Sequence, residues 1–149
     1  MKTKTRKLNG MTKNILSGIL VTLILFSFNS CAVKSTFLSS SVVPAANGNI
    51  KVKRDKNKNY VIQVKVSNLA EVARLQPPKQ TYVVWAVTDQ GNTDNIGQLK
   101  SSKNFLSKQM SATFETVSSS KPSKIFITAE NNGSIQYPGE QIVLSTNNF

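Results

Sequence analysis

Nucleophiles, acid–base pairs and metal ligands are scarce in this chain, and their scarcity excludes more than any motif adds. Among 149 residues there is one cysteine, Cys31, and no histidine. Without an imidazole there is no Ser-His-Asp or Cys-His nucleophile, no histidine-ligated zinc or copper, and no proton shuttle tuned to neutral pH. Ser118 and Lys121 have the Ser-x-x-Lys spacing of an acyl-transfer pair. That chemistry needs both residues on one helix face, and this stretch is serine-rich and closed by Pro122. Glu115, Glu130 and Glu140 are the carboxylates on offer for glycoside cleavage. They are scattered, and Glu130 is expected to orient the turn from Asn131 to Gly133. Asp89, Asn92 and Asp94 lack the spacing of a calcium-binding loop and read as turn residues. The expectation is a protein with no catalytic residue, no cofactor and no metal.

Cys31 takes its meaning from what precedes it. Lys2, Lys4, Arg6, Lys7 and Lys13 form a positive region free of acids, and residues 15–28 are then almost wholly apolar. That apolar run is shorter than the roughly 20 residues a membrane-spanning helix needs, so the pattern is that of an export leader. Its end, Phe28-Asn29-Ser30-Cys31, resembles a bacterial lipoprotein signal, and the Ser-Cys pair behind a Phe-rich core is similar to the form common in Bacteroidota. The resemblance implies that residues 1–30 are a signal peptide and that Cys31 becomes an acylated N-terminus. The protein would then be exported and held on an envelope membrane. Ala32, Val33 and Lys34 lack the acids of a surface-export signal, which points to the periplasmic side.

Removing 30 residues leaves 119, the size of one domain with a real core. A lone cysteine offers no internal disulfide, so packing alone must hold the fold. Five of the 19 Lys and Arg sit in the leader, which leaves 14 against 7 acids and a net charge of +7 instead of +12. An exported chain rarely meets nucleic acid, so this surplus reads as envelope electrostatics.

Residues 31–48 are rich in Ser, Ala and Asn with turn signals at Pro44, Asn47 and Gly48, and they read as a tether, although Phe37-Leu38 and Val42-Val43 have strand character. From 49 onward the pattern is β. Ile50 and Val52 alternate with Lys51 and Lys53, and Tyr60, Ile62, Val64 and Val66 alternate with Val61, Gln63, Lys65 and Ser67. Period two on both sides of 55–59 predicts a hairpin with one buried face. Pro77 and Pro78 limit any helix to a turn at 70–75. Residues 82–87 are a continuous β-favouring run, the pattern of a strand covered on both faces. Strands are also expected at 96–99, 112–116, 124–129 and 141–145, with Phe105 and Leu106 dipping inward from a loop. About seven or eight short strands on one domain, residues 49–149, predict an all-β antiparallel sandwich, immunoglobulin-like or Greek-key.

Two stretches resemble the C-terminal, extracytoplasmic domain of anti-sigma-K factors. They are Tyr82-Val83-Val84-Trp85-Ala86-Val87-Thr88 with Ile96-Gly97-Gln98-Leu99, and Phe126-Ile127-Thr128-Ala129-Glu130 with Gly133-Ser134, Pro138-Gly139 and Ile142-Val143-Leu144. The resemblance covers about 100 residues and implies a β-sandwich without catalytic residues. Full members of that family carry a cytoplasmic sigma-binding domain and a membrane helix ahead of this domain, where this chain has only its leader and the Ser-rich stretch. The resemblance therefore implies a sensing or binding module that makes no direct contact with a sigma factor.

Within that domain Tyr82, Trp85, Gly97 and Leu99 are expected to be structural. Trp85 in particular reads as a core anchor. Lys51, Lys53, Arg54, Lys56 and Lys58 form the densest basic cluster. It is a solvated face by default and, in its functional reading, a contact for an envelope protein, a glycan or anionic lipid headgroups. The expected function is that of a non-enzymatic, lipid-anchored envelope protein acting as a binding module. A small carbohydrate-active enzyme using carboxylates and a passive structural lipoprotein are the alternatives.

Overall fold

The structure, a computed structural model, describes residues 32–102 and 110–149. Cys31 and the expected inward residues Phe105 and Leu106 lie outside the described residues. So do residues 1–30.

Nine strands run through the described residues: β1 (Val33–Thr36), β2 (Asn47–Arg54), β3 (Tyr60–Leu69), β4 (Thr81–Thr88), β5 (Thr93–Gln98), β6 (Ser101–Ser102), β7 (Met110–Ser118), β8 (Pro122–Glu130) and β9 (Ile142–Ser145), with one 3-10 turn at Val72–Arg74. They form two antiparallel sheets, in the orders β1-β2-β3-β7-β6 and β5-β4-β8-β9. Without β1, the orders β2-β3-β7-β6 and β5-β4-β8-β9 match the ABED and C′CFG sheets of an immunoglobulin-like sandwich. The expected all-β antiparallel sandwich is what the chain forms.

Strict alternation explains the first sheet. Ile50, Val52, Ile62, Val64, Val66 and Ala112 point inward and are buried. They meet Tyr82, Val84, Ala86, Ile125, Ile127 and Ala129 from the second sheet in one apolar cluster. Leu99 also lies in this cluster and donates its backbone N–H to the Tyr82 carbonyl at 3.0 Å.

The tether expected over residues 31–48 is corrected by the structure. β1 pairs along its whole length with β2, from Val33 opposite Val52 to Thr36 opposite Asn49. Farther on, the Ser40 hydroxyl accepts from the Val43 N–H at 2.9 Å, and Val43 and Ala46 are buried in the main cluster. Leu38 N–H then donates to the Ser145 carbonyl at 2.8 Å, so this segment crosses from the first sheet to the edge of the second. Small residues mimic a linker in composition. Here they close one side of the sandwich, and β1, from Val33, belongs to the domain expected to begin at Asn49.

At β5 the ladder carries a bulge, because Gly97 faces Val84 and Asn95 faces Trp85, which leaves Ile96 unmatched. Gly97 sits at φ +136, a region L side chains avoid, so its structural role is backbone freedom.

Tyr82 is buried, and its hydroxyl donates to the Ala70 carbonyl at 3.0 Å. Burial pushes its phenol pKa up to about 12. A raised folded-state pKa gives stability that is complete below the unfolded value near 10 and is lost as pH climbs toward 12. Tyr82→Phe should therefore cost about 1 kcal/mol at neutral pH, for the lost hydrogen bond. It should also flatten the alkaline fall in thermal midpoint above about pH 10. Identical alkaline profiles for the two proteins would contradict this assignment.

Candidate functional site

The two outer faces of the sandwich differ, and the difference locates the site. On the second sheet, Val83, Trp85 and Phe126 point away from the main core and form a second buried cluster with Val87 and Ile135. Cross-strand neighbours Trp85 and Phe126 stack with ring centroids 6.2 Å apart and 13° between planes. The Trp85 indole N–H donates to the Thr128 hydroxyl at 2.8 Å. The segment 131–141 lies across this face. Asn95 Nδ2 donates to the carbonyls of Gly133 and Ile135 at 2.9 and 2.8 Å, and Glu130 Oε1 accepts from the Gly139 N–H at 2.8 Å. Glu130 thus holds the far end of this loop and not the turn at 131–133 that its sequence position suggested. Trp85 is fully buried, in an outer cluster and not in the space between the sheets.

The first sheet leaves its outer face open. Register places three rows across it: Lys34, Lys51, Gln63 and Glu115 in one; Thr36, Asn49, Lys65 and Thr113 in the next; Lys53, Val61 and Val117 on the other side. Neighbouring strands lie about 4.8 Å apart, and residues two apart along a strand about 6.8 Å. Lys34, Lys51, Lys53 and Lys65 therefore share one small patch. Lys34, Thr36, Asn49, Lys51, Gln63 and Lys65 line an open depression of about 700 Å³. Crowding is felt electrostatically. Repulsion from Lys53 first, then loss of solvent, and then repulsion from Lys34 and Lys65 hold the Lys51 ammonium below the usual lysine range. Glu115, the carboxylate on this face, accepts from Gln63 Nε2 at 2.8 Å. Among the described residues none of the four lysines makes a salt bridge.

The structure divides the sequence-predicted basic cluster. Lys51 and Lys53 stand on the open face. The other three belong to the hairpin end, where the Arg54 guanidinium lies 5.8 Å from the Tyr60 ring centroid and Arg54 Nε donates to the Lys58 carbonyl at 3.4 Å. Lys56 is exposed, and Lys58 takes a positive φ of 68 in the turn. Lys34 and Lys65 were missed. Alternation already put Lys65 on the solvated side of β3, whereas Lys34 had no comparable signal.

Glu115 stands on the first sheet and Glu130 on the second. The Ser118 hydroxyl is engaged with the backbone of Ser120. Around 88–92, Thr88 and Asn92 close the turn by backbone and hydroxyl hydrogen bonds. Among the described residues no group of three His, Cys, Asp or Glu side chains converges.

Fold and site together define a β-sandwich with one sealed outer face and one open, basic outer face. Comparison with protein-family models, with curated proteins and with solved structures found no match.

Proposed function

We propose that this protein is a non-enzymatic binding module of the cell envelope, anchored through an acylated Cys31 and built like the outer domain of anti-sigma-K factors without a sigma-binding part. The observation that carries this reading is the open lysine face, four like charges gathered on one sheet while the opposite sheet is closed over by residues 131–141. A basic surface with one carboxylate, Glu115, attracts anionic partners. The leader supports the anchor, and so does the start of β1 at Val33, which leaves one residue between the acylated cysteine and the folded domain.

In cells, Cys31→Ala should lose fatty-acid label and move from the membrane fraction to the soluble fraction. More than one acyl chain, at about 0.8 kcal/mol per buried CH₂, is what stable anchoring requires. A variant that stays labelled and membrane-bound would overturn the reading.

A further inference from the structure

We infer that Lys34, Lys51, Lys53 and Lys65 lay the outer face of the first sheet against the anionic headgroups of the membrane that carries the protein. The inference rests on the anchored reading of Cys31 and specifies what the binding face meets. Distance is the first argument. Lys34 is three residues beyond Cys31, and extended chain covers about 3.3 Å per residue, so Lys34, at the near edge of the patch, is held within about 10 Å of the anchor point. That is about one Debye length at physiological salt, close enough for fixed charges to feel a headgroup layer.

Composition of the face is the second argument. Its three rows contain four lysines against one carboxylate, Glu115, which is bonded to Gln63, together with uncharged polar side chains and the valines Val61 and Val117, with Val117 59 % exposed. None of these residues is aromatic, so the face offers neither a stacking platform for nucleic-acid bases nor a ring for a sugar to lie on. A paired, four-stranded surface with its cations on β1, β2 and β3 suits a charged plane.

Like-charge crowding is the third argument. Solubility alone is served by interspersed signs, and gathering four cations works against the isolated fold. A layer of phosphates relieves the repulsion that Lys51 experiences from Lys53, Lys34 and Lys65.

Both sheets and both apolar clusters are built from residues after Cys31, which form one compact unit. The unacylated domain, residues 32–149, is therefore the reagent for the test, and its behaviour is independent of whether Cys31 is modified. It should co-sediment with phosphatidylcholine vesicles containing phosphatidylglycerol and not with vesicles of phosphatidylcholine alone, and the association should fall steeply with added salt. Replacing Lys34, Lys51, Lys53 and Lys65 together by Gln should weaken it several-hundred-fold, at about fivefold per lysine near an anionic surface. The thermal midpoint of that variant should stay the same or rise, which separates lost binding from lost folding. Lys56→Gln with Lys58→Gln, at the hairpin end, should change binding by no more than a few-fold. Equal binding to both vesicle types, no binding to either, or equal loss in the hairpin-end variant would each overturn the inference. So would competition by free inorganic phosphate as effective as the vesicles, which would make this a small-anion site. Failure of Cys31 labelling with vesicle binding intact would instead overturn the anchor alone.

Discussion

Trp85→Ala is expected to destabilise the domain by about 3–5 kcal/mol, much of the 5–15 kcal/mol that holds a typical domain together. The ring is fully buried, stacked on Phe126, and its N–H satisfies the Thr128 hydroxyl. Truncation leaves a cavity, and Thr128, itself completely buried, loses its partner. Because Ile135 packs on the same cluster, the loss should spread to the covering loop. Amide exchange within 131–141 should quicken more than in β2 and β3. Chemical denaturation and exchange measurements check both parts. A Trp85→Ala protein of unchanged stability that had lost a ligand would make Trp85 a site residue instead of a structural one.

Gly48→Ala is expected to cost about 2–3 kcal/mol, at the upper end for adding a single methyl group. A Cβ at Gly48 would run into the Lys65 backbone carbonyl and come within 3.1 Å of the Phe37 ring and the Val66 Cα. A side chain can swing aside, but a carbonyl in a β-ladder moves only with its strand. Gly48 faces Val66, one position from the Asn49–Lys65 pair, so relief means parting β2 from β3 beneath the lysine patch. The variant should show a lower thermal midpoint, and its vesicle binding should fall although every lysine is retained. Unchanged stability would mean that the β2–β3 pairing is looser than described.

How much of this could be read from the chain depends on which groups do the positioning. Alternation of Ile50 and Val52 with Lys51 and Lys53 gave the β2–β3 hairpin and the solvated side of its lysines, because half-burial leaves a period of two. The unbroken run Tyr82 to Val87 correctly implied a strand covered on both faces. What covers its second face was hidden. The cover is a polar loop held by Asn95 and Glu130 through bonds to backbone atoms, and a run of apolar residues carries no record of such bonds. β1 was harder still. Val33-Lys34-Ser35-Thr36 is largely exposed and is held by backbone pairing to β2, which depends weakly on side-chain type. Its composition reads as linker, so Lys34 was lost from the site. Arg54, Lys56 and Lys58 were adjacent to the right lysines in sequence, but Arg54 alternates to the side of Val52 at the end of β2, and the hairpin turn takes Lys56 and Lys58 off the face.

Mass spectrometry of the mature protein extracted from native membranes tests the central claim most directly. The account predicts an N-terminal peptide that begins at Cys31 and carries the mass of its acyl chains. An N-terminus elsewhere, or an unmodified Cys31 in membrane-extracted protein, would contradict it.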